Sequence, residues 1–218
     1  MFLPGFLAGL LHVPKMYHRP RYNDVRKTEE SEGLFMEKTA MKTVKTASFD
    51  TDRLNIRLMM LDEWKLFVDH VIEADEVYET FAHEKDEEFC ECLFKPDFGR
   101  AINYTLHLKD TDEMIGYVGF NTAEENPNFN NLAYYIFKDH RRKGYAREAV
   151  SALIEKILNR EIYDTVINTI HAYVVWNNAA SARLIEQLGF NGLGYIILDS
   201  GIAERHYRFE AEKMVETA

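Results

Sequence analysis

The chain has 218 residues, with 26 Lys and Arg against 36 Asp and Glu, and its formal net charge is -10 at pH 7. That length is typical of one domain with a short appendage. The acidic balance argues against a general nucleic-acid-binding protein, which requires a basic face. The two cysteines, Cys90 and Cys92, have no second Cys/His cluster to complete a zinc pattern, so they are interpreted as reduced thiols of a cytoplasmic protein.

The N-terminal residues differ in composition from the rest of the chain. Residues 1–48 are predicted to be a flexible extension, and residues 49–215 a single folded domain. The apolar segment at residues 1–13 is shorter than the ~20 residues that span a bilayer, so no membrane span is predicted. Its positive charges follow the apolar run, whereas a secretory signal carries them in front. A weak membrane-surface anchor and a loosely docked extension both fit this segment, and the extension is the favoured interpretation.

The domain is predicted to open with a strand and two helices. Apolar and polar residues alternate over residues 51–58, which is typical of a half-buried strand. Asp62 is the predicted cap of the first helix. The apolar stripe of that helix comprises Trp64, Phe67, Val68, Val71 and Ile72. A second helix is predicted over residues 84–94, because Pro96 and Gly99 interrupt the chain behind it.

Three strands and a long loop follow. Residues 102–108 and 114–120 form a predicted hairpin around the turn at residues 109–112. Residues 121–130 are rich in Asn and contain a proline, so they are predicted to be a loop. The next strand covers residues 131–137, because that segment is short, aromatic and branched.

A basic turn with one glycine connects that strand to a helix. The helix is predicted from six apolar residues at helical spacing: Ala146, Ala149, Val150, Leu153, Ile154 and Ile157. The first amides of a helix lack intrahelical acceptors and carry partial positive charge, so a phosphate fits there. Gly144 lets a ligand approach the backbone, and three cations precede it: Arg141, Arg142 and Lys143. The spacing matches neither a Walker loop nor the three-glycine dinucleotide motif.

The C-terminal third is predicted to add a strand, a helix and a closing hairpin. The strand covers residues 166–175, and the helix follows Asn178 and ends at Gly189. The hairpin is formed by residues 195–198 and 205–212. Together, these elements predict a strand-rich α+β domain with one turn suited to phosphate.

Four segments resemble, in the same order, the motifs of the GNAT acetyltransferases. They begin at Thr51, Met114, Arg141 and Asn177, and they read Thr-Asp-Arg-Leu-Asn-Ile-Arg-Leu, Met-Ile-Gly-Tyr-Val-Gly-Phe, Arg-Arg-Lys-Gly-Tyr-Ala and Asn-Asn-Ala-Ala-Ser-Ala-Arg-Leu-Ile-Glu-Gln-Leu-Gly-Phe. The first is similar to the opening of the ribosomal-protein-alanine (RimJ/RimL-like) subgroup. The resemblance spans residues 51–213 and implies the GNAT fold, a central twisted, mostly antiparallel sheet flanked by helices.

The resemblance implies acetyl-CoA as the acetyl donor. The pyrophosphate-binding turn of the family falls on Arg141, Arg142, Lys143, Gly144, Tyr145 and Ala146. The strand whose backbone polarises the thioester carbonyl, in the manner of an oxyanion hole, falls on Tyr135, Ile136 and Phe137. The residue that binds the pantetheine arm falls on Asn178, which is also a favourable helix cap. No metal is implied.

The catalytic acid and base are not where relatives often carry them. The usual Glu position, a base that acts through water, falls on Asn131, and the usual Tyr position, the acid, falls on Ile185. Ser181 is the hydroxyl that serine variants of the family use, although Ser near a helix start is commonly a local hydrogen-bonding residue. Glu124, with Glu125 beside it, is the candidate substitute base, although loop carboxylates are commonly just solvated.

The function implied is transfer of an acetyl group to a primary amine by direct attack in a ternary complex. The acceptor is a protein N-terminal amine or a small-molecule amine. Residues 75–83 fall where relatives line the acceptor groove, and a plain loop between two helices fits the same segment equally well. The departures at Asn131 and Ile185 favour a second hypothesis, a catalytically weak acyl-CoA-binding sensor or interaction module. A nucleotide-phosphate binder is a third. Homodimers are common among relatives, so a homodimer is a further expectation.

Overall fold

A single eight-stranded sheet forms the centre of the part of the chain that the structure, a computed structural model, describes: residues 45–73, 101–123, 126–198 and 201–211. Its strands are β1 (Ser48–Asp50), β2 (Leu54–Leu58), β3 (Ala101–Leu108), β4 (Met114–Ala123), β5 (Asn126–Ile136), β6 (Thr169–Val175), β7 (Asn191–Ile197) and β8 (Ala203–Glu210). The described helices are α1 (Leu61–Glu73), α2 (Tyr145–Leu158) and α3 (Ala179–Gln187), with a 3-10 turn at Lys138–His140.

The strand order across the sheet is β1-β2-β3-β4-β5-β6-β8-β7. Every neighbouring pair is antiparallel except β5 and β6, which are parallel. A parallel pair needs a crossover connection, and α2 supplies it. The predicted α+β class, with a mostly antiparallel sheet flanked by helices, is confirmed.

One face of the sheet forms the larger core with α2 and α3. The predicted apolar spacing of α2 places a row of side chains against the strands: Ala149, Val150, Leu153, Ile154 and Ile157 are all buried. From α3, Ala182 and Ile185 join the same cluster. The strands contribute alternate residues to it, such as Leu54, Ile56 and Tyr104, because successive side chains of a strand point to opposite faces.

The opposite face of the sheet packs against α1. Phe67 is fully buried there, with its ring edge-on to Tyr117 and Tyr135 at centroid distances of 4.9 and 5.4 Å. Met59 and Phe137 complete this smaller cluster. Residues of β4 and β5 therefore contact α1 with one set of side chains and α2 with the alternate set.

Helix α1 begins two residues earlier than predicted. It starts at Leu61, so Asp62 lies within the first turn and is not the cap. Glu63, at the third helical position, accepts a hydrogen bond from the backbone N–H of Met60 at 3.0 Å. This is the backbone-directed half of a capping box, and it satisfies the donor that precedes the helix.

The predicted loop at residues 121–130 is wrong, because both strands extend into it. Asn121 pairs with Asn131 and Ala123 with Asn126, with a register shift between the two pairs. A proline or an unpaired residue is tolerated at such an irregularity, where the ladder needs fewer donors. Composition alone marked the segment as irregular but did not show that it continues the hairpin.

Among the described residues, the chain contacts the sheet from residue 46 onwards. The Tyr104 hydroxyl donates to the Thr46 carbonyl oxygen at 2.8 Å, and the Leu58 N–H donates to Ala47 at 2.7 Å. Several predictions lie outside the described residues: the extension up to residue 44, the segment 75–83, the second helix at 84–94, Cys90, Cys92, Glu124 and Glu125. Among the residues described, no helix is both long and apolar enough to cross a bilayer.

Candidate functional site

The basic turn begins α2 with two residues in left-handed backbone conformations. Gly144 is the N-cap residue, with φ +86° and ψ 0°, and Arg142 has φ +61°. No side chain in the described part of the chain caps this helix start. The first amides of α2 therefore have no side-chain acceptor from the described residues and could donate to an anion. Arg142 and Lys143 are exposed beside them.

Arg53, from the loop between β1 and β2, holds this turn in place. Its Nε donates to Glu148 Oε2 at 2.7 Å, and its Nη1 donates to the Lys143 carbonyl oxygen at 2.8 Å. Its guanidinium also lies 4.5 Å from the ring centroid of Tyr145. The hydroxyl of Thr51 and the backbone N–H of Arg53 both donate to Glu148 Oε1. Sequence reasoning missed Arg53 and Glu148, which lie 95 residues apart and show no joint pattern.

We expect Glu148→Gln to destabilise the fold at neutral pH. Partial burial opposes ionisation, but the bonds from Thr51 and Arg53 outweigh it and lower the pKa of Glu148 below 4.5. A lowered folded-state pKa stabilises the protein above the unfolded-state pKa, and this contribution is lost as the pH falls through the folded value. Urea denaturation should show a loss of about 1–2 kcal/mol near pH 7.

The same difference should shrink as the pH is lowered through the folded-state pKa, because the wild-type Glu148 carboxylate then becomes protonated. Glu155→Gln is the matched control, since Glu155 is an exposed residue of the same helix. A difference between wild type and Glu148→Gln that does not change with pH would contradict the assignment of this stabilisation to the carboxylate.

Arg141 links the turn to the end of β5. Its Nε donates to the Ile136 carbonyl oxygen at 2.8 Å, and its guanidinium lies 5.1 Å from the ring centroid of Tyr135. Arg141 was predicted to contribute charge to the phosphate turn. The structure shows that it also connects this turn to the end of β5.

A cleft opens in the sheet beside the turn, where β5 and β6 part. Only one residue pair, Asn131 with His171, is in register between these two strands in the described part of the chain. Beyond that pair, β5 continues to Ile136 and β6 to Val175 without further pairing. The backbone edge of β5 that faces β6 therefore has no register partner in β6 over its last residues.

The alternation of the strand identifies which amides face the cleft. The Phe137 N–H donates to the Ile115 carbonyl oxygen of β4 at 2.8 Å. In an extended strand, alternate residues direct their backbone polar groups to opposite sides. The amide of Tyr135 therefore also faces β4, whereas the amides of Ile136 and Tyr134 face the cleft. Of the three residues predicted to polarise a thioester, only Ile136 has a suitably directed N–H, and Tyr134 was missed.

Asn178 caps α3, at the other side of the cleft. Its Oδ1 accepts a hydrogen bond from the Ser181 N–H at 3.0 Å, which is the structural role the sequence allowed for it. The cap uses the side-chain oxygen, whereas binding of a pantetheine carbonyl would use the Nδ2 donor. The two roles are therefore compatible.

A pair of hydroxyl groups bridges β5 and α3. The oxygen atoms of Tyr134 and Ser181 lie 2.6 Å apart. Burial raises the pKa of Tyr134 to about 12, against a smaller opposing effect of the Ser181 hydrogen bond, so the phenol stays protonated at neutral pH. Ile185, at the usual tyrosine position, is fully buried in the core. Tyr134 was missed because an aromatic residue in an apolar strand is typical of core packing.

Comparison with known proteins identifies the family of this fold. The model of the Acetyltransferase (GNAT) domain matches residues 53–191. An uncharacterized N-acetyltransferase, p20 of Bacillus licheniformis, is 31% identical over 98 residues, which are 45% of this chain and 53% of that protein. The chain thus spans about half the length of this curated relative.

Solved structures share the fold at low sequence identity. An acetyltransferase of Salmonella typhimurium that modifies the N-terminal serine of the 50S ribosomal protein L7/L12 has a TM-score of 0.62 and 14% identity, covering 74% of this chain and 97% of its own. RimL, a ribosomal L7/L12 α-N-protein acetyltransferase in complex with coenzyme A, has a TM-score of 0.59 and 14% identity, covering 77% and 98%.

Proposed function

This chain belongs to the GNAT acetyltransferase family, and we propose from that premise that it transfers an acetyl group from acetyl-CoA to a primary amine. The observation that carries the proposal is the cleft between β5 and β6, which opens next to the uncapped start of α2. Arg141 joins the two features, because it bonds the end of β5 from within the turn. The site so formed is long, with phosphate-binding amides at one end and strand amides along its wall.

The geometry suggests how acetyl-CoA would lie. Its pyrophosphate would bind the amides of residues 142–146, with Arg142 and Lys143 adding positive charge. Its pantetheine arm would enter the cleft, between β5 and the Asn178 side chain. The thioester carbonyl would then accept a hydrogen bond from the Ile136 N–H, which would stabilise the oxyanion of the tetrahedral intermediate.

The reaction would proceed by direct attack of the amine on the thioester carbon. The C–N bond forms, the C–S bond breaks and the attacking nitrogen releases a proton, while the Ser181 hydroxyl gives a proton to the coenzyme A thiolate and regains one from solvent. Tyr134, which holds that hydroxyl at 2.6 Å, supports Ser181 in this role. Holding both reactants in one cleft can contribute ~7–11 kcal/mol in favourable cases.

The acceptor we favour is the N-terminal α-amine of a protein, as in the RimJ/RimL-like subgroup. Structural neighbours with that activity support this choice by their fold. The net charge of -10 would also steer a cationic amine towards the protein. We place the catalytic domain at residues 49–215, with an appended extension at 1–48, in a cytoplasmic protein.

The test is calorimetric titration with acetyl-CoA, followed by release of free thiol against N-terminal peptides, polyamines and lysine-containing peptides. Binding with thiol release on one acceptor class would support the enzyme and identify the acceptor. Binding without release on any acceptor would favour the acyl-CoA sensor instead. Absence of binding would contradict both.

We expect Ser181→Ala to lower kcat about 100-fold while the Kd for acetyl-CoA changes little, because a positioned general acid typically contributes that much. Tyr134→Phe should lower kcat less, since Ser181 keeps its proton but loses its hydrogen-bonding partner. Ser151→Ala, at an exposed position of α2, is the matched control. A kcat for Ser181→Ala equal to that of the control would remove Ser181 from the mechanism.

A further inference from the structure

Asn131 and His171 are register partners at the point where β5 and β6 part. Asn131 shares a strand face with Tyr135, four residues along, whose ring contacts Phe67 of α1. The neighbours of His171, Ile170 and Ala172, belong to the core on the other face. Both polar side chains therefore lie on the α1 side of the sheet. The hydroxyl groups of Tyr134 and Ser181 lie on the other side.

Each of these two side chains carries a buried polar atom with no hydrogen-bonding partner among the residues described. The atoms are Oδ1 of Asn131 and Nε2 of His171, and His171 is only 8% exposed. A buried polar atom without a partner costs about 1–3 kcal/mol, so such atoms call for an explanation. The amide oxygen can only accept a hydrogen bond, so the missing partner must be a donor, such as a water molecule or an amine.

A second histidine lies within hydrogen-bonding distance of the first. His171 Nδ1 lies 2.8 Å from His206 Nε2 on β8, and the His206 ring stacks on Tyr173 at 4.6 Å. Burial, with His171 and Arg208 nearby, lowers the pKa of His206 to about 4, so His206 is neutral at neutral pH. A neutral His206 that accepts from the Nδ1–H of His171 leaves a lone pair on His171 Nε2.

We propose that His171 is the proton acceptor of the reaction, reached along β5 through a chain of water molecules whose last member is held between Asn131 Oδ1 and His171 Nε2. This inference rests on the proposed acetyl transfer and names its missing base. The attacking nitrogen loses a proton to the first water of this chain, the last water passes one to His171 Nε2, and the imidazolium later releases it to solvent. Asn131 orients the last water, which explains how an amide can occupy the position where relatives often carry a carboxylate.

The charges around His171 define the expected pH dependence. Its own strand contributes Tyr173, and β8 contributes His206 and Arg208, the latter paired with Glu210 at 2.9 Å. Burial and then Arg208 lower the pKa of His171 below 6.5, so the neutral, proton-accepting form predominates at neutral pH. The value of kcat/KM should therefore fall on the acid side as His171 becomes protonated.

The experiment compares pH profiles of kcat/KM for wild type, His171→Gln and the control His140→Gln, with Kd for acetyl-CoA measured on each. His140 lies beside Glu113, at 3.1 Å, and is outside the proposed proton path. We expect His171→Gln to lower kcat about 100-fold, with the Kd for acetyl-CoA nearly unchanged. The fall of kcat/KM at acid pH should be absent from this variant. Adding Asn131→Glu to His171→Gln should restore part of the rate, because a carboxylate then replaces the imidazole.

An unchanged pH profile in His171→Gln, with wild-type turnover present, would overturn this inference alone. Absence of binding and turnover in wild type would overturn the proposed function as well. If His171→Gln does not fold, the pH profile of kcat/KM is measured on His206→Gln instead. An altered acid-side pKa would support the inference in that variant, and an unaltered one would contradict it.

Discussion

Gly144→Val is expected to weaken acetyl-CoA binding more than 100-fold, the largest effect on affinity that we predict. Gly144 has φ +86°, a conformation that a β-branched residue adopts only under strain. A Cβ at this position would lie 3.3 Å from Nη2 of Arg53, the residue that fastens the turn. The new side chain would also stand where the phosphate must approach the backbone. Calorimetric titration with acetyl-CoA measures the loss.

Gly201→Val separates local strain from loss of the site. Gly201 has a similar φ of +82°, and an added Cβ would meet nothing within 4 Å. Gly201→Val should lose about as much stability as Gly144→Val, about 1–3 kcal/mol, without a change in the Kd for acetyl-CoA. Equal affinities of the Gly144 and Gly201 variants for acetyl-CoA would mean that the turn does not bind the pyrophosphate.

Gly116→Ala is expected to have the largest effect on stability, about 3 kcal/mol or more in urea denaturation. Gly116 pairs with Ile136 across β4 and β5, and it has φ +152°. An added Cβ would overlap the backbone carbonyl oxygen of Tyr135 and lie 3.0 Å from Ile136 Cα. Since the obstruction is backbone, β5 must shift, and overpacking of this kind is at the costly end of its range.

The same shift should impair catalysis if the Ile136 N–H stabilises the oxyanion. A displacement of about 1 Å at a catalytic donor can lower the rate about 100-fold. We therefore expect residual folded Gly116→Ala to have a lower kcat with a smaller change in Kd. Wild-type kcat in the folded variant would indicate that the Ile136 amide is not the donor.

Two other glycines of the sheet provide graded controls. At Gly119, an added Cβ would meet the side-chain oxygen of Asn103, which can rotate away, so Gly119→Ala should cost less than Gly116→Ala. At Gly192, the nearest atom would be a Tyr207 ring carbon at 3.7 Å, an ordinary contact. Gly192→Ala should therefore be nearly neutral.

The sequence by itself determined those helices, strands and turns that depend on residues close together along the chain. The helical spacing of residues such as Leu153 and Ile157 correctly predicted α2 and its buried face. The alternation of Leu54 and Ile56 predicted β2, and Asn178 was correctly recognised as a helix cap. Gly144 marked a turn because its preference for positive φ is a property of the residue alone. These features depend on neighbours within a few positions along the chain.

Tertiary structure alone decided how these elements combine into a site. The parting of β5 from β6, and the Phe137 hydrogen bond to Ile115 that directs the Ile136 amide into the cleft, depend on strand pairing. The 2.6 Å contact of Tyr134 with Ser181 and the 2.8 Å contact of His171 with His206 join residues 47 and 35 positions apart. Such contacts leave no periodic trace in a single sequence, because the fold, and not the spacing along the chain, brings their side chains together.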